Sequence, residues 1–158
     1  MSSTLKHFNI RVYAIILDGN DNILLSDEFR MNMRMTKFPG GGLQLGEGTL
    51  DCLHREMMEE FGQDVDVIRH FYTTDFFQKA LFYEDHQLIS IYYLCRFTEP
   101  VRFRVSDKPF DWETDKEGCQ SFRWISIASL NPDEMLSFPI DRQAGRLLCS
   151  LANPAGIL

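Results

Sequence analysis

The chain has 158 residues, 44% of them hydrophobic and 25% charged, an ordinary globular mixture that predicts one domain over residues 1–158 around a single core. No apolar run approaches the roughly 18 to 20 residues needed to span a bilayer, and the first residues lack the apolar centre of a signal peptide, so a cytoplasmic protein without a membrane partner is expected. The net charge of −7 sets aside broad, salt-driven binding to a nucleic-acid backbone; an anionic substrate would need local positive charge, for which a bound divalent cation is the obvious source.

Alternate apolar positions at Phe8, Ile10, Val12, Ala14 and Ile16 predict a strand over 8–16. Asp18-Gly19-Asn20-Asp21 reads as a turn, and residues 23–25 as the returning strand. The turn has acidic and amide side chains at alternate positions, as a calcium loop does. Ile23 stands where that loop needs Gly and Phe29 where it needs Glu, so a calcium role is set aside. Residues 27–37 read as irregular, and Phe38-Pro39-Gly40-Gly41-Gly42 as a loop.

A helix is predicted over 50–61, with Thr49 as N-cap, Asp51 in the first turn and Gly62 ending it. Two long strands follow, one with Val65, Val67 and Phe71 on one parity, the other with Ile89, Ile91, Tyr93, Cys95 and Phe97 alternating. Residues 100–118 are charged and loop-like, and Phe122 and Trp124 mark a last strand. A short helical turn near 128–130 stops at Asn131-Pro132, and a final helix begins near Pro139 and ends before Asn153. The order predicts an α+β fold, a mixed sheet packed by helices. The cysteines, Cys52, Cys95, Cys119 and Cys149, contain no C-x-x-C pair, which predicts reduced thiols and sets aside a zinc knuckle or redox motif.

Advancing about 100° per residue around the predicted helix places Leu50, Leu53, Met57 and Phe61 in one stripe, expected to face the core. Glu56, Glu59 and Glu60 fall on an adjacent face beside Arg55. Clustered carboxylates repel one another, and these lie toward the helix end that disfavours negative charge. A solvated acidic face is one reading. Hard oxygen ligands for Mg²⁺ are the other, because a cation removes the repulsion. His54 precedes Arg55 but has no second histidine four residues on, so a zinc-protease reading fails.

The residues preceding the helix sharpen this. Gly41, five residues, Glu47, seven residues and then Arg55-Glu56-Met57-Met58-Glu59-Glu60-Phe61-Gly62-Gln63 resemble the Nudix box, G-x5-E-x7-R-E-U-x-E-E-x-G-U, with U a bulky aliphatic residue. Every fixed Gly, Glu and Arg stands at its spacing. Met57 and Gln63 depart at the U positions, and polar Gln63 predicts a more exposed chain just after the helix. Lys116-Glu117-Gly118 followed by Arg123-Trp124-Ile125 also looks like the late loop and strand of many members, so the resemblance covers nearly all of residues 5–151.

The resemblance implies a Nudix-type α/β/α sandwich and hydrolysis of a diphosphate linkage in a small nucleotide-like substrate. Nucleoside triphosphates, nucleotide sugars and ADP-ribose lie within the family's range. The implied cofactor is Mg²⁺, with Mn²⁺ as the alternative, held by the Gly40 carbonyl, Glu56, Glu59 and Glu60. Arg55 would orient a glutamate, while Gly41, Glu47 and Gly62 would support the loop and helix. The general base is a helix glutamate in some members and a later-loop glutamate in others, here Glu117. Arg30, Arg34 and Lys37, just before the glycine loop, are candidate contacts for substrate phosphates or else solvated charges. Phe76, Phe77, Tyr83 and Tyr92 can stack on a base but read first as core or sheet-face residues, and His86 as a polar edge residue. The alternative function is a non-catalytic Nudix-fold nucleotide sensor, which the complete set of box glutamates disfavours. Either a monomer or a homodimer is compatible with the sequence.

Overall fold

The computed structural model describes residues 4–151. Its elements are β1 (His7–Ile16), β2 (Asn22–Arg30), β3 (Met33–Lys37), β4 (Gly40–Gly42), α1 (Thr49–Phe61), β5 (Val65–Thr73), β6 (His86–Phe97), β7 (Gln120–Ser126), a 3₁₀ turn (Ile127–Ser129), α2 (Pro132–Met135) and α3 (Pro139–Ser150). The strands form two sheets. A four-stranded mixed sheet has the order β4-β1-β6-β5, with β1 and β6 parallel; a three-stranded antiparallel sheet has the order β3-β2-β7.

Strand β1 is apolar on both faces, and that decides the layering. Val12, Ala14 and Ile16 pack with Leu53, Met57 and Phe61 of α1 on one side. Tyr13, Ile15 and Leu17 pack with Ile140, Ala144 and Leu148 of α3 on the other. Each fully buried Leu or Met contributes about 1.5–3 kcal/mol, so the two helices are clamped onto a strand buried from both directions. The result is the α/β/α sandwich with a mixed sheet and α+β character that the sequence led to expect.

Several local expectations are corrected. Residues 27–37 are not irregular: β2 runs on to Arg30 and turns back into β3. Met31 and Asn32 at the turn have φ of 49° and 59°, the positive values a type I′ hairpin turn needs. The usual glycine signal is missing there, and buried Asp27 and Glu28 disguise the strand as a charged loop. Gly40–Gly42, expected as a loop, pairs with Arg11–Tyr13 as a short edge strand. The N-cap of α1 is Gly48, whose N–H donates to the Asp51 carboxylate at 2.8 Å, while the Thr49 hydroxyl bonds Tyr93 at 2.6 Å. Leu50 is 45% exposed and Cys52 takes its place in the core.

Gln63 is buried, not exposed: its amide donates to the Pro100 carbonyl at 3.0 Å and accepts from Arg102 N at 2.7 Å. A polar residue at an aliphatic position is thus satisfied by the chain after β6. In β5, register shifts between Val67 and Arg69 and between His70 and Tyr72 break the simple parity, so Tyr72 is buried. Phe76, Phe77 and Tyr83, expected in the core or on a sheet face, are exposed in the segment before β6. All four cysteines are free. No helix among the described residues is long and apolar enough to cross a membrane.

Candidate active site

A cavity of about 610 Å³ opens where β4, the C-terminal half of α1, the β2–β3 hairpin and the N-terminus of α3 meet. Gly40–Gly42, Glu56, Glu59 and Glu60 line one wall, and Arg30, Lys37 and Glu117 line another. Arg34 is not among the lining residues. It reaches outward to Asp115, at 3.0 and 3.1 Å from Nε.

The glycines are there because α1 leaves no room at Gly41 and β1 none at Gly40. A Cβ on Gly41 would lie 2.3 Å from the Glu56 carboxylate, and one on Gly40, at φ 144°, 2.1 Å from the Val12 carbonyl. Glu56 therefore packs directly on the backbone of β4. Arg55 organises the acidic face. Its Nε and one terminal nitrogen grip both oxygens of Glu47, the second contact at 3.0 Å. The same nitrogen donates to the Gly42 carbonyl at 2.9 Å, and the other donates to Glu56 at 3.0 Å and to Glu59 at 3.3 Å. Glu47 also accepts from Gln44 N at 2.9 Å. The Arg55 bonds, with the Gln44 amide, hold the Glu47 carboxyl down to about 2. Gly62, at φ 62°, ends α1 in the left-handed cap, donating to the Met58 carbonyl.

Deeper in the cavity the charges alternate. Lys37, 6% exposed, is 3.2 Å from Glu28 and donates to the Gly40 carbonyl at 3.3 Å. Burial alone would lower its pKa, but the carboxylates of Glu60 and Glu28 outweigh that and keep it charged. Burial pushes the Glu60 carboxyl up to about 7; Lys37 and Gln120 oppose the rise, while Glu28 and Glu56 add to it. Glu60 Oε2 is a buried oxygen with no hydrogen-bond partner.

At the far end Tyr92 donates to Asp141 Oδ1, and Asp141 Oδ2 is likewise buried without a partner. Burial raises the Asp141 carboxyl to about 6, against the Tyr92 bond and the nearby Lys37 charge. Tyr13 stacks on Tyr92 with centroids 5.3 Å apart, and Arg11 Nε donates to the Tyr13 hydroxyl at 2.6 Å.

Arg11, Glu28 and Asp141 were missed from sequence. Arg11 lies on the parity opposite the predicted apolar stripe of its strand, and Asp141 reads as an acid in the first turn of a helix, so neither stood out before the packing was known. Tyr92 lines the cavity, Tyr83 stands at its rim and Phe76 and Phe77 lie outside it. His86 stacks near Tyr83 and bonds Asp85, away from the cavity, and His54 bonds Asp64.

The sequence model of the NUDIX domain matches residues 7–144. The chain belongs to the NUDIX domain family. Solved structures agree at the level of the fold. The ORF135 protein of E. coli superimposes with a TM-score of 0.69 at 18% identity, over 95% of this chain and 94% of that one. A NUDIX hydrolase from Nitrosomonas europaea gives 0.65 at 21% identity, over 90% and 89%. An ADP-ribose pyrophosphatase from Streptococcus suis gives 0.53 at 18% identity, over 92% of each chain.

Whether this NUDIX site suits a divalent cation can be judged from its own atoms. The donors are hard oxygens, the kind Mg²⁺ takes: the Gly40 carbonyl and the carboxylates of Glu56, Glu59 and Glu60, all lining one cavity. One of those oxygens, Glu60 Oε2, has no other partner. No three acidic, histidine or cysteine side chains are already drawn together as a cage among the described residues. Arg55 engages Glu56 and Glu59, and Lys37 engages the Gly40 carbonyl, so the chain's own cations hold these donors here. The donor set fits the ion.

Proposed function

We propose that this Nudix enzyme hydrolyses a diphosphate linkage in a nucleoside diphosphate joined to another group, using Mg²⁺, with Mn²⁺ as a substitute. The observation that carries the reading is the unpartnered Glu60 oxygen, buried beside Glu56 on a wall that ends in the bare backbone of Gly40 and Gly41. Like-charged carboxylates gathered against a backbone carbonyl cost free energy unless a cation joins them.

When bound by Gly40, Glu56, Glu59 and Glu60, the cation would neutralise phosphate charge and stabilise the leaving group. The chain's own residues supply the rest. Arg55, anchored on Glu47 through paired bonds, orients Glu56 and Glu59 with its remaining terminal nitrogen. Lys37 and Arg30 line the same cavity and carry charge of the sign a diphosphate needs. Glu117 lines it from the loop side, with Oε2 held by Met31 N at 2.9 Å, and is the proposed acceptor of the water proton. The water oxygen then bonds to phosphorus, the bridging P–O bond breaks, and the leaving phosphate departs with the bridging oxygen.

The aromatic end of the cavity would seat the rest of the substrate. Tyr92 and Tyr13 are buried and stacked on one another beneath that end, and Asp141 Oδ2 is a buried oxygen with an unmet hydrogen-bonding position. A substrate group with a polar hydrogen at its edge suits that position. A cytosolic location, as a monomer or a homodimer, is part of the same proposal.

Purified protein with Mg²⁺ and a panel of ATP, ADP-ribose and UDP-glucose is expected to release a nucleoside monophosphate from at least one member. Glu60→Gln is expected to lower that rate by a factor of about 10² or more, since a ligand oxygen is lost, with far-UV circular dichroism unchanged. A Glu60→Gln enzyme turning over at the wild-type rate would refute the assignment.

A further inference from the structure

We propose that Arg34 is a positioning residue, clamping the late acidic loop so that Glu117 is held at the cavity. This rests on the assignment of Glu117 as acceptor of the water proton. Residues 100–118 contain no helix or strand, and backbone pairing with β2 resumes only at Gly118 and Cys119, both bonded to Phe29, so the Glu117 side chain and the residues before it need other ties.

The β2–β3 hairpin supplies it at two points. On one side of the turn, Met31 N donates to Glu117 Oε2 at 2.9 Å. On the other, the Arg34 guanidinium meets both oxygens of Asp115, at 3.0 and 3.1 Å from Nε and 3.0 Å from a terminal nitrogen. Its face lies 5.2 Å from the centroid of Phe110. Phe110 has φ 52°, a strained left-handed value for an aromatic residue. Trp112 Nε1 donates to the same Asp115 at 2.8 Å. Behind Glu117, Gly118 N donates to the Phe29 carbonyl at 2.9 Å. Asp115 and Glu117 are thus pinned to the two arms of one hairpin.

Both partners of the ion pair are partly exposed, 52% for Arg34 and 35% for Asp115. Such pairs add little to global stability. A forked guanidinium that is also stacked restricts geometry, which is what a proton acceptor requires. The sequence left Arg34 as a phosphate contact or a solvated charge; its absence from the residues lining the cavity and its engagement by Asp115 argue for this role instead.

The test uses the panel substrate that the wild type turns over fastest, with Mg²⁺, and the variants Arg34→Ala, Asp115→Asn, Glu117→Gln and the Arg34→Ala/Glu117→Gln double. Each clamp variant is expected to lower kcat about tenfold, a misplacement effect, with KM within about twofold. The double variant should be no slower than Glu117→Gln alone, because the clamp acts only through that carboxylate. Independently of turnover, the Met31 amide resonance should shift in both clamp variants and its hydrogen exchange should accelerate.

A normal kcat in Arg34→Ala, a raised KM at unchanged kcat, losses that multiply in the double variant, or an unmoved Met31 amide would each overturn the clamp. Glu117→Gln at the wild-type rate would instead overturn the assignment of Glu117 itself, whatever Arg34 does.

Discussion

Arg55 spreads its donors over Glu47, Glu56, Glu59 and the Gly42 carbonyl, so one side chain sets the rotamers of the acidic face. Its tie to Glu47 has a pH signature. The Glu47 carboxyl is held down to about 2, first by the Arg55 hydrogen bond and then by the Gln44 amide, from an ordinary value near 4.5. A depressed carboxylate contributes stability that is fully present above its unfolded pKa and is lost as pH falls toward its folded one. Wild type should therefore exceed Glu47→Gln in urea midpoint by a constant margin down to about pH 5, with the margin closing between about pH 4.5 and 2. A margin that does not change over that window would show that Glu47 is not held by Arg55 in solution.

At the scale of elements, β4 and α1 form one unit, because the Glu56 carboxylate rests where a Gly41 side chain would be. Gly41→Ala must push Glu56 aside or lift β4 from β1. Its expected outcome is a loss of activity of about 10²-fold, the cost of displacing a proposed cation ligand, together with a lowered thermal midpoint; activity within twofold of wild type would contradict the packing. The Glu and Arg spacing around this unit was legible in the sequence because a helix repeats its faces at a fixed angle. The β2–β3 hairpin was not. Its turn uses Met31 and Asn32 at positive φ without glycine, and its buried Asp27 is paired across the sheet. Asp27 meets Thr36 of the neighbouring strand at 2.6 Å and Arg123 at 2.7 Å, the latter a partner far away in sequence. Gln63 was misread for the same reason, since its partners Pro100 and Arg102 lie beyond two strands.

Over the whole molecule, a chain of net charge −7 keeps two of its cations, Arg11 and Lys37, on the wall of one cavity that also holds Glu28, Glu60 and Asp141. A mixed sheet packed by helices followed from the order of the elements and the α/β/α layering from the family resemblance, whereas the far end of the cavity depended on residues such as Asp141 that look like ordinary helix-start acids until α3 is packed on β1 and β6. An acidic bulk would repel the proposed diphosphate at long range, and the cavity cations would attract it on entry. A divalent ion on the glutamate wall would complete that compensation. The most direct measurement is the hydrolysis rate of EDTA-stripped protein during titration with Mg²⁺, for wild type and for the Glu56→Gln/Glu60→Gln double variant. A negligible rate without metal, a saturable rise in wild type and no comparable rise in the variant are predicted. Full turnover in EDTA, or an identical Mg²⁺ curve for the two proteins, would contradict the account.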